Sequence, residues 1–246
     1  VRTVGAIASR TLLRCTPDTP VCEAARAMAA QHHSSIVVME GGRAVGIWTE
    51  RDALRIDFSR VDSFDRPIRG VMTSPVRSIA ASAAVGEAGL VFRNERVRHL
   101  LVVDDDGTPI GMLSQTDVVM NHGVEQYLTL RDVRSVMSGA PTLLEPGLSF
   151  EAAAERMREA GAEAAIVLAD PAAGAAIDPA AGAAIGPAAG AAMLTERDLV
   201  RVAAERRAGG TVGAVASRPL IVVPATAPLL TARNLFAAHG IRHLAV

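Results

Sequence analysis

The chain has 246 residues, with 25 Lys plus Arg against 26 Asp plus Glu and a net charge of −1. That balance excludes the basic surface of a nucleic-acid binder, and one Trp, one Tyr and five Phe leave no stacking platform for single strands. Half of the residues are apolar, many of them Ala, so wholesale disorder is excluded and the core should be built from Val, Ile, Leu and Ala. Cys15 and Cys22 are too few for a disulfide framework and point to a reducing, cytoplasmic compartment. No signal peptide is visible, and the chain opens at Val1, as an excised piece would. Pro171–Leu194, the longest apolar stretch free of basic residues, is mostly Ala and Gly with three prolines, too weakly hydrophobic for a membrane span.

Taken in order, the elements repeat. Unit one (1–60) opens with Val4-Gly5-Ala6-Ile7-Ala8-Ser9. Thr19 followed by Pro20 predicts a capped helix with proline at its first position. The apolar run Ser35–Met39, the turn Glu40-Gly41-Gly42 and a second run predict a hairpin that ends in Gly46-Ile47-Trp48-Thr49-Glu50-Arg51-Asp52. A tail helix is expected over Glu50–Ile56. Unit two (66–123) repeats this from Ile68-Arg69-Gly70-Val71-Met72-Thr73, through the strand His99–Val103 and the turn Asp104–Gly107, to Gly111-Met112-Leu113-Ser114-Gln115-Thr116-Asp117 and a helix over Gln115–Met120. Unit three (132–205) starts at Val133-Arg134-Ser135-Val136-Met137-Ser138. Ser149 caps a helix with an apolar face of Phe150, Ala153, Ala154 and Met157, ended by Gly161. The run Ala164–Ala169 follows, then Ala192-Met193-Leu194-Thr195-Glu196-Arg197-Asp198 and a helix over Glu196–Ala204. Unit four (211–246) starts at Val212-Gly213-Ala214-Val215-Ala216-Ser217, predicts a helix over Pro228–His239 ended by Gly240, and breaks off after Leu244–Val246, so its last third is missing.

The closing Asp recurs at spacings of 65 and 81 residues. Residues 170–177 (DPAAGAAI) return as 178–185 and, altered, as 186–193 (GPAAGAAM), and removing two octads restores the period of 65. The insertion, 170–193, reads as an expanded hairpin loop with no assigned function. Each unit is a β-α-β-β-α element too small to hide its own sheet, so pairing of units is expected. There is no G-x-S-x-G, HExxH or P-loop, and four repeats leave no space for a catalytic domain, so the chain is read as a non-enzyme. Asp104–Asp106 reads as a solvated turn, and His32-His33 as a surface helix end.

The element order, the period and the G-h-h-T/S-x-x-D junction before a helix resemble the CBS domain. The resemblance implies an α/β (α+β) fold of tandem CBS repeats, paired into two Bateman modules. It also implies an adenosine-containing ligand (AMP, ADP, ATP or S-adenosylmethionine), with no further cofactor required, bound in clefts between paired sheets. Carried over residue by residue, Thr49, Ser114 and Thr195 would face phosphate and Asp52, Asp117 and Asp198 would hold ribose, chemistry consistent with a hydroxyl, helix-start N–H groups and acceptor oxygens. Arg51 and Arg197 would add charge at phosphate, and Arg98 and His99 are secondary candidates on the adenine side. Thr116 stands at the Arg position in unit two, and Ala192 replaces the motif glycine in unit three. The connector after Gln115-Thr116-Asp117-Val118-Val119, Gly123–Arg131, is similar to the CBS input region of bacterial cyclic-di-GMP signalling proteins with GGDEF or EAL domains. The implied partners are an output domain of the same or another protein and a second copy in a homodimer. The alternative is a ligand-free dimerisation scaffold, in which each T/S-x-x-D is a capping box that serves only its helix.

Overall fold

The computed structural model describes residues 2–121, 125–168, 186–188 and 190–246. Part of the connector, and most of the octad insertion read above as an expanded loop, lie outside the described residues. The chain divides into two compact units: 1–56, 61–123 and 203–206 in the first, and 57–60, 124–202 and 207–246 in the second.

In the first unit, α1 (Val4–Ile7) precedes β1 (Arg14–Cys15), α2 (Val21–Gln31), β2 (Ser35–Glu40) and β3 (Arg43–Thr49). A 3-10 helix, Glu50–Arg55, takes the place of the expected tail helix. After short 3-10 turns come β4 (Ser78–Ala80), α3 (Val85–Glu95), β5 (His99–Val103), β6 (Pro109–Ser114) and α4 (Gln115–Asn121). The sheets are β1-β2-β3 and β4-β5-β6, each with one parallel and one antiparallel pair. The β2–β3 hairpin closes through Gly41 and Gly42, both at positive φ, as a two-residue primed turn demands. Thr19 does not cap α2. Pro20 is the N-cap residue, and the Thr19 hydroxyl instead accepts the Thr16 N–H at 3.1 Å. His32, in the left-handed conformation, ends α2.

Alternation along the strands sorts side chains to two faces. Leu100, Val102 and Leu113 pack with Ala88 and Phe92 of α3 and with Val4 of α1. On the other face Val37, Ile47, Leu101 and Met112 form one buried cluster that joins the two sheets. Val4 therefore belongs to the core of the second repeat, although it stands at the head of the first. The exchange is reciprocal. Ser9 and Met112 trade backbone hydrogen bonds of 3.0 and 2.9 Å, and Thr73 and Ile47 trade bonds of 2.8 and 2.9 Å.

The second unit contains α5 (Glu125–Leu130), β7 (Leu143–Leu144), α6 (Phe150–Glu159), β8 (Ala164–Val167), β9 (Gly186–Ala188), β10 (Ala192–Thr195), α7 (Glu196–Ala204), β11 (Leu220–Val222) and α8 (Leu229–His239). Ser149 caps α6 by accepting the Ala152 N–H at 3.2 Å, and Phe150, Ala153, Ala154 and Met157 are buried, as the sequence predicts. One sheet runs β10-β8-β7, and β11 pairs with β9, the third octad's Gly-Pro-Ala. The end of the chain reaches β11 through the parallel bridge Val222–Ala245 and through Ala245 packed with Leu220. The exchange of heads recurs: Met193 and Ser217 trade bonds of 3.0 and 2.8 Å, and Val133 packs with Val223, Ala227 and Ala232.

This exchange accounts for the motif glycines. A β-carbon on Gly111 would stand 2.5 Å from the Ser9 carbonyl oxygen, and one on Gly46 2.5 Å from the Met72 sulfur. The close approach is made by the chain's own head segments. Gly111→Ala should destabilise the protein by about 1–3 kcal/mol in chemical denaturation, because backbone is hard to displace. Gly89→Ala, in α3 with nothing within 4 Å of the new methyl, should stabilise by about 0.5–1 kcal/mol.

Candidate functional site at the strand-to-helix junctions

At the end of β3, Thr49 has extended backbone and is the N-cap of the new helix. Asp52, three residues on and 4 % exposed, folds back onto it. Its Oδ2 accepts the Thr49 N–H at 2.9 Å and the Thr49 hydroxyl at 2.8 Å. Its Oδ1 accepts the Thr73 hydroxyl at 3.0 Å and pairs with the Arg55 guanidinium at 3.3 Å. The same turn is built at Ser114, whose N–H and hydroxyl reach Asp117 Oδ2 at 2.8 and 2.7 Å. It is built again at Thr195, with both bonds to Asp198 Oδ2 at 2.8 Å. Arg201 donates to Asp198 Oδ1 at 2.8 Å and to the Val215 carbonyl at 3.1 Å. In the first junction the carboxylate and hydroxyl form a capping box that satisfies helix-start donors.

Arg51 and Arg197 are exposed at the second helical position of their junctions. Of the two secondary candidates on the other repeat, His99 is brought toward the first junction, and the Arg98 carbonyl accepts the Gln115 N–H at 3.1 Å. The His99 Nε2 lies 2.8 Å from the Ser34 hydroxyl, and the Ser34 carbonyl accepts the N–H of buried Glu50 at 3.1 Å. Burial, aided by the neighbouring Arg98 charge and opposed by Glu50, pushes the His99 pKa down to about 4. The ring is therefore a neutral imidazole at ordinary pH, able to donate and to accept. Thr49, Arg51 and Asp52 follow one another at the first junction, and His99 of the second repeat reaches its edge through Ser34 and Glu50, with Arg98 beside it in the chain. Thr195, Arg197 and Asp198 form a separate junction in the second unit.

Arg55, Arg201, Thr73, Ser34 and the buried pair Glu50 and Glu196 were not among the sequence candidates. Arg55 and Arg201 carried a usable signal, since each follows its Asp by three residues where unit two has Met120. Thr73 reaches the site only through the pairing of repeats, while Ser34 meets Glu50 within its own repeat and gains His99 from the other. Among the described residues no group of three or more His, Cys, Asp or Glu is disposed to hold a metal, and no helix is long and apolar enough to cross a membrane. Asp104 Oδ1 accepts the Asp106 and Thr108 N–H groups at 3.1 and 2.7 Å, the work of a turn.

His99 makes stability depend on pH. The unfolded ring takes a proton near 6.5, but the folded ring resists until about 4. Stability is therefore full above pH 6.5 and falls between 6.5 and 4, by on the order of 1–3 kcal/mol. Denaturant midpoints measured across that window should show the slope, and His99→Gln should flatten it.

The geometry can be set beside known proteins. The family model described as CBS domain matches residues 4–59, 68–121 and 212–246. An uncharacterized 17.7 kDa protein of Acidianus ambivalens is 29% identical over 139 residues, 56% of this chain and 79% of that protein. An uncharacterized protein of Methanopyrus kandleri is 32% identical over 127 residues, 51% of this chain and 63% of its own length. The crystal structure of protein MJ1225 from Methanocaldococcus jannaschii, described as a candidate archaeal homolog of g-AMPK, superposes over 98% of this chain and 91% of that one, with a TM-score of 0.74 at 16% identity. With tandem repeats of this fold along its length and more than half of its residues matched, the chain belongs to the CBS domain family.

Proposed function

We propose that the chain is a regulatory module that binds an adenosine-containing nucleotide and passes the resulting shift to an output domain of the same or another protein. The observation that carries this reading is the neighbourhood in the first unit. A helix-start hydroxyl and carboxylate, the exposed Arg51 and a neutral imidazole from the partner repeat lie together there. Those groups suit a phosphate, a sugar and a base in turn. Binding regulates only if it favours one arrangement of the repeats over another. Ser34–His99 and Asp52–Thr73 are contacts between repeats, so a ligand that engages either side of them acts on the pairing itself. A GGDEF or EAL output domain, bacterial signalling and a homodimeric assembly in the cytoplasm complete the proposal.

A second reading, the ligand-free scaffold, is favoured by one specific observation: both Asp52 oxygens already serve the protein's own groups. Calorimetry separates the two. Titration with AMP, ATP, S-adenosylmethionine and NAD should show binding of at least one, weakened about tenfold or more by Asp52→Ala or Asp117→Ala, as expected for loss of a charge-assisted bond. Heat from none of the four with the intact chain would leave the scaffold. Binding untouched by both substitutions would move the site to the second unit.

A further inference from the structure

We propose that Arg55 is an exchangeable stopper on Asp52, and that it makes the first-unit site select nucleotides carrying phosphate over neutral nucleosides. The inference rests on the nucleotide-binding reading and names what governs that site.

A carboxylate offers about four acceptor positions. On Asp52, Oδ2 holds the Thr49 N–H and hydroxyl, and Oδ1 holds the Thr73 hydroxyl and the Arg55 guanidinium. Removing the first two undoes the helix start, and removing the third breaks a contact between repeats. Only the Arg55 position can be vacated without dismantling the fold. Its side chain is 60% exposed, its separation of 3.3 Å is long for a charge-assisted bond, and the carboxylate it covers is 5% exposed. The guanidinium end faces solvent and is cheap to move, provided that another donor takes its place on the buried carboxylate.

A neutral ligand that brings a sugar diol to Oδ1 must displace Arg55 and leave it in water. A phosphorylated ligand supplies both halves of an exchange: the diol takes the vacated position on Asp52 while the guanidinium moves to the phosphate. The cost of opening the pair is then offset by a new charge-assisted contact. The second unit provides a contrast. Arg201 stands at the same spacing from Asp198, but at 2.8 Å and with a second anchor on the Val215 carbonyl. That arginine is held from two sides and is the poorer stopper to exchange.

Trp48, the single tryptophan, is fully buried immediately before Thr49 and reports on this junction alone. The test measures affinities of AMP and adenosine by calorimetry and Trp48 fluorescence on the full chain, wild type and variants. In Arg55→Gln, AMP should bind about tenfold more weakly and adenosine about two- to fivefold more tightly. Arg55→Lys, which keeps the charge, should hold AMP within about threefold of wild type, and Arg201→Gln should leave the Trp48 signal unchanged. If Arg55→Gln moves AMP and adenosine by the same factor, or weakens both, the exchange is wrong although the site stands. If the wild-type chain binds neither ligand, the nucleotide reading itself fails, and the stopper with it.

Discussion

Among the described residues, each three-stranded sheet is tied by a pair of backbone hydrogen bonds between its last strand and the head of the neighbouring repeat. Ser9 bonds with Met112, Thr73 with Ile47 and Ser217 with Met193. A unit of about 60 residues cannot bury both faces of a three-stranded sheet. The solution is reciprocal: each repeat lends its head to the other's core and closes the sheet-to-sheet face with Val37, Ile47, Leu101 and Met112. Gly46 in β3 and Gly111 in β6 follow from that constraint, since the lent side chain of Met72 and backbone of Ser9 occupy the space a β-carbon would take.

The same pairing gives the junction carboxylates two masters. Asp52 starts a helix and also holds Thr73 of the other repeat, and Asp198 reaches the second repeat of its unit through Arg201 and Val215. The capping role seen here is thus compatible with the ligand role proposed for the same residue. A group that must be fixed in place to cap a helix is also already oriented for a ligand, and little further ordering is left to oppose binding.

Much of this was legible in the sequence because it is local and repeated. The apolar face of Phe150, Ala153, Ala154 and Met157, the two-glycine hairpin and the recurring T/S-x-x-D turn each follow from periodicity or turn chemistry within a few residues. Thr19 misled because its hydroxyl had a closer customer, Thr16, in the preceding turn. The tail of the first unit misled because the capped segment stays in 3-10 form from Glu50 to Arg55. Ser34, Thr73 and Val4 were illegible for a different reason: their partners lie on the other repeat of the pair, and only the pairing of repeats brings them together. The need for glycine at 46 and 111 was illegible for the same reason, since Met72 and Ser9 fill that space from the neighbouring repeat.

The third octad is stitched at two points. Its Gly-Pro-Ala lies antiparallel along Leu220–Val222, and Ala192 is paired with Val167 on β8. Chain added or removed upstream of those stitches changes neither strand alignment, and lengthening a closure that already exists costs only about 0.6 kcal/mol per doubling. A replication slip that gains or drops eight codons would thus be thermodynamically almost silent.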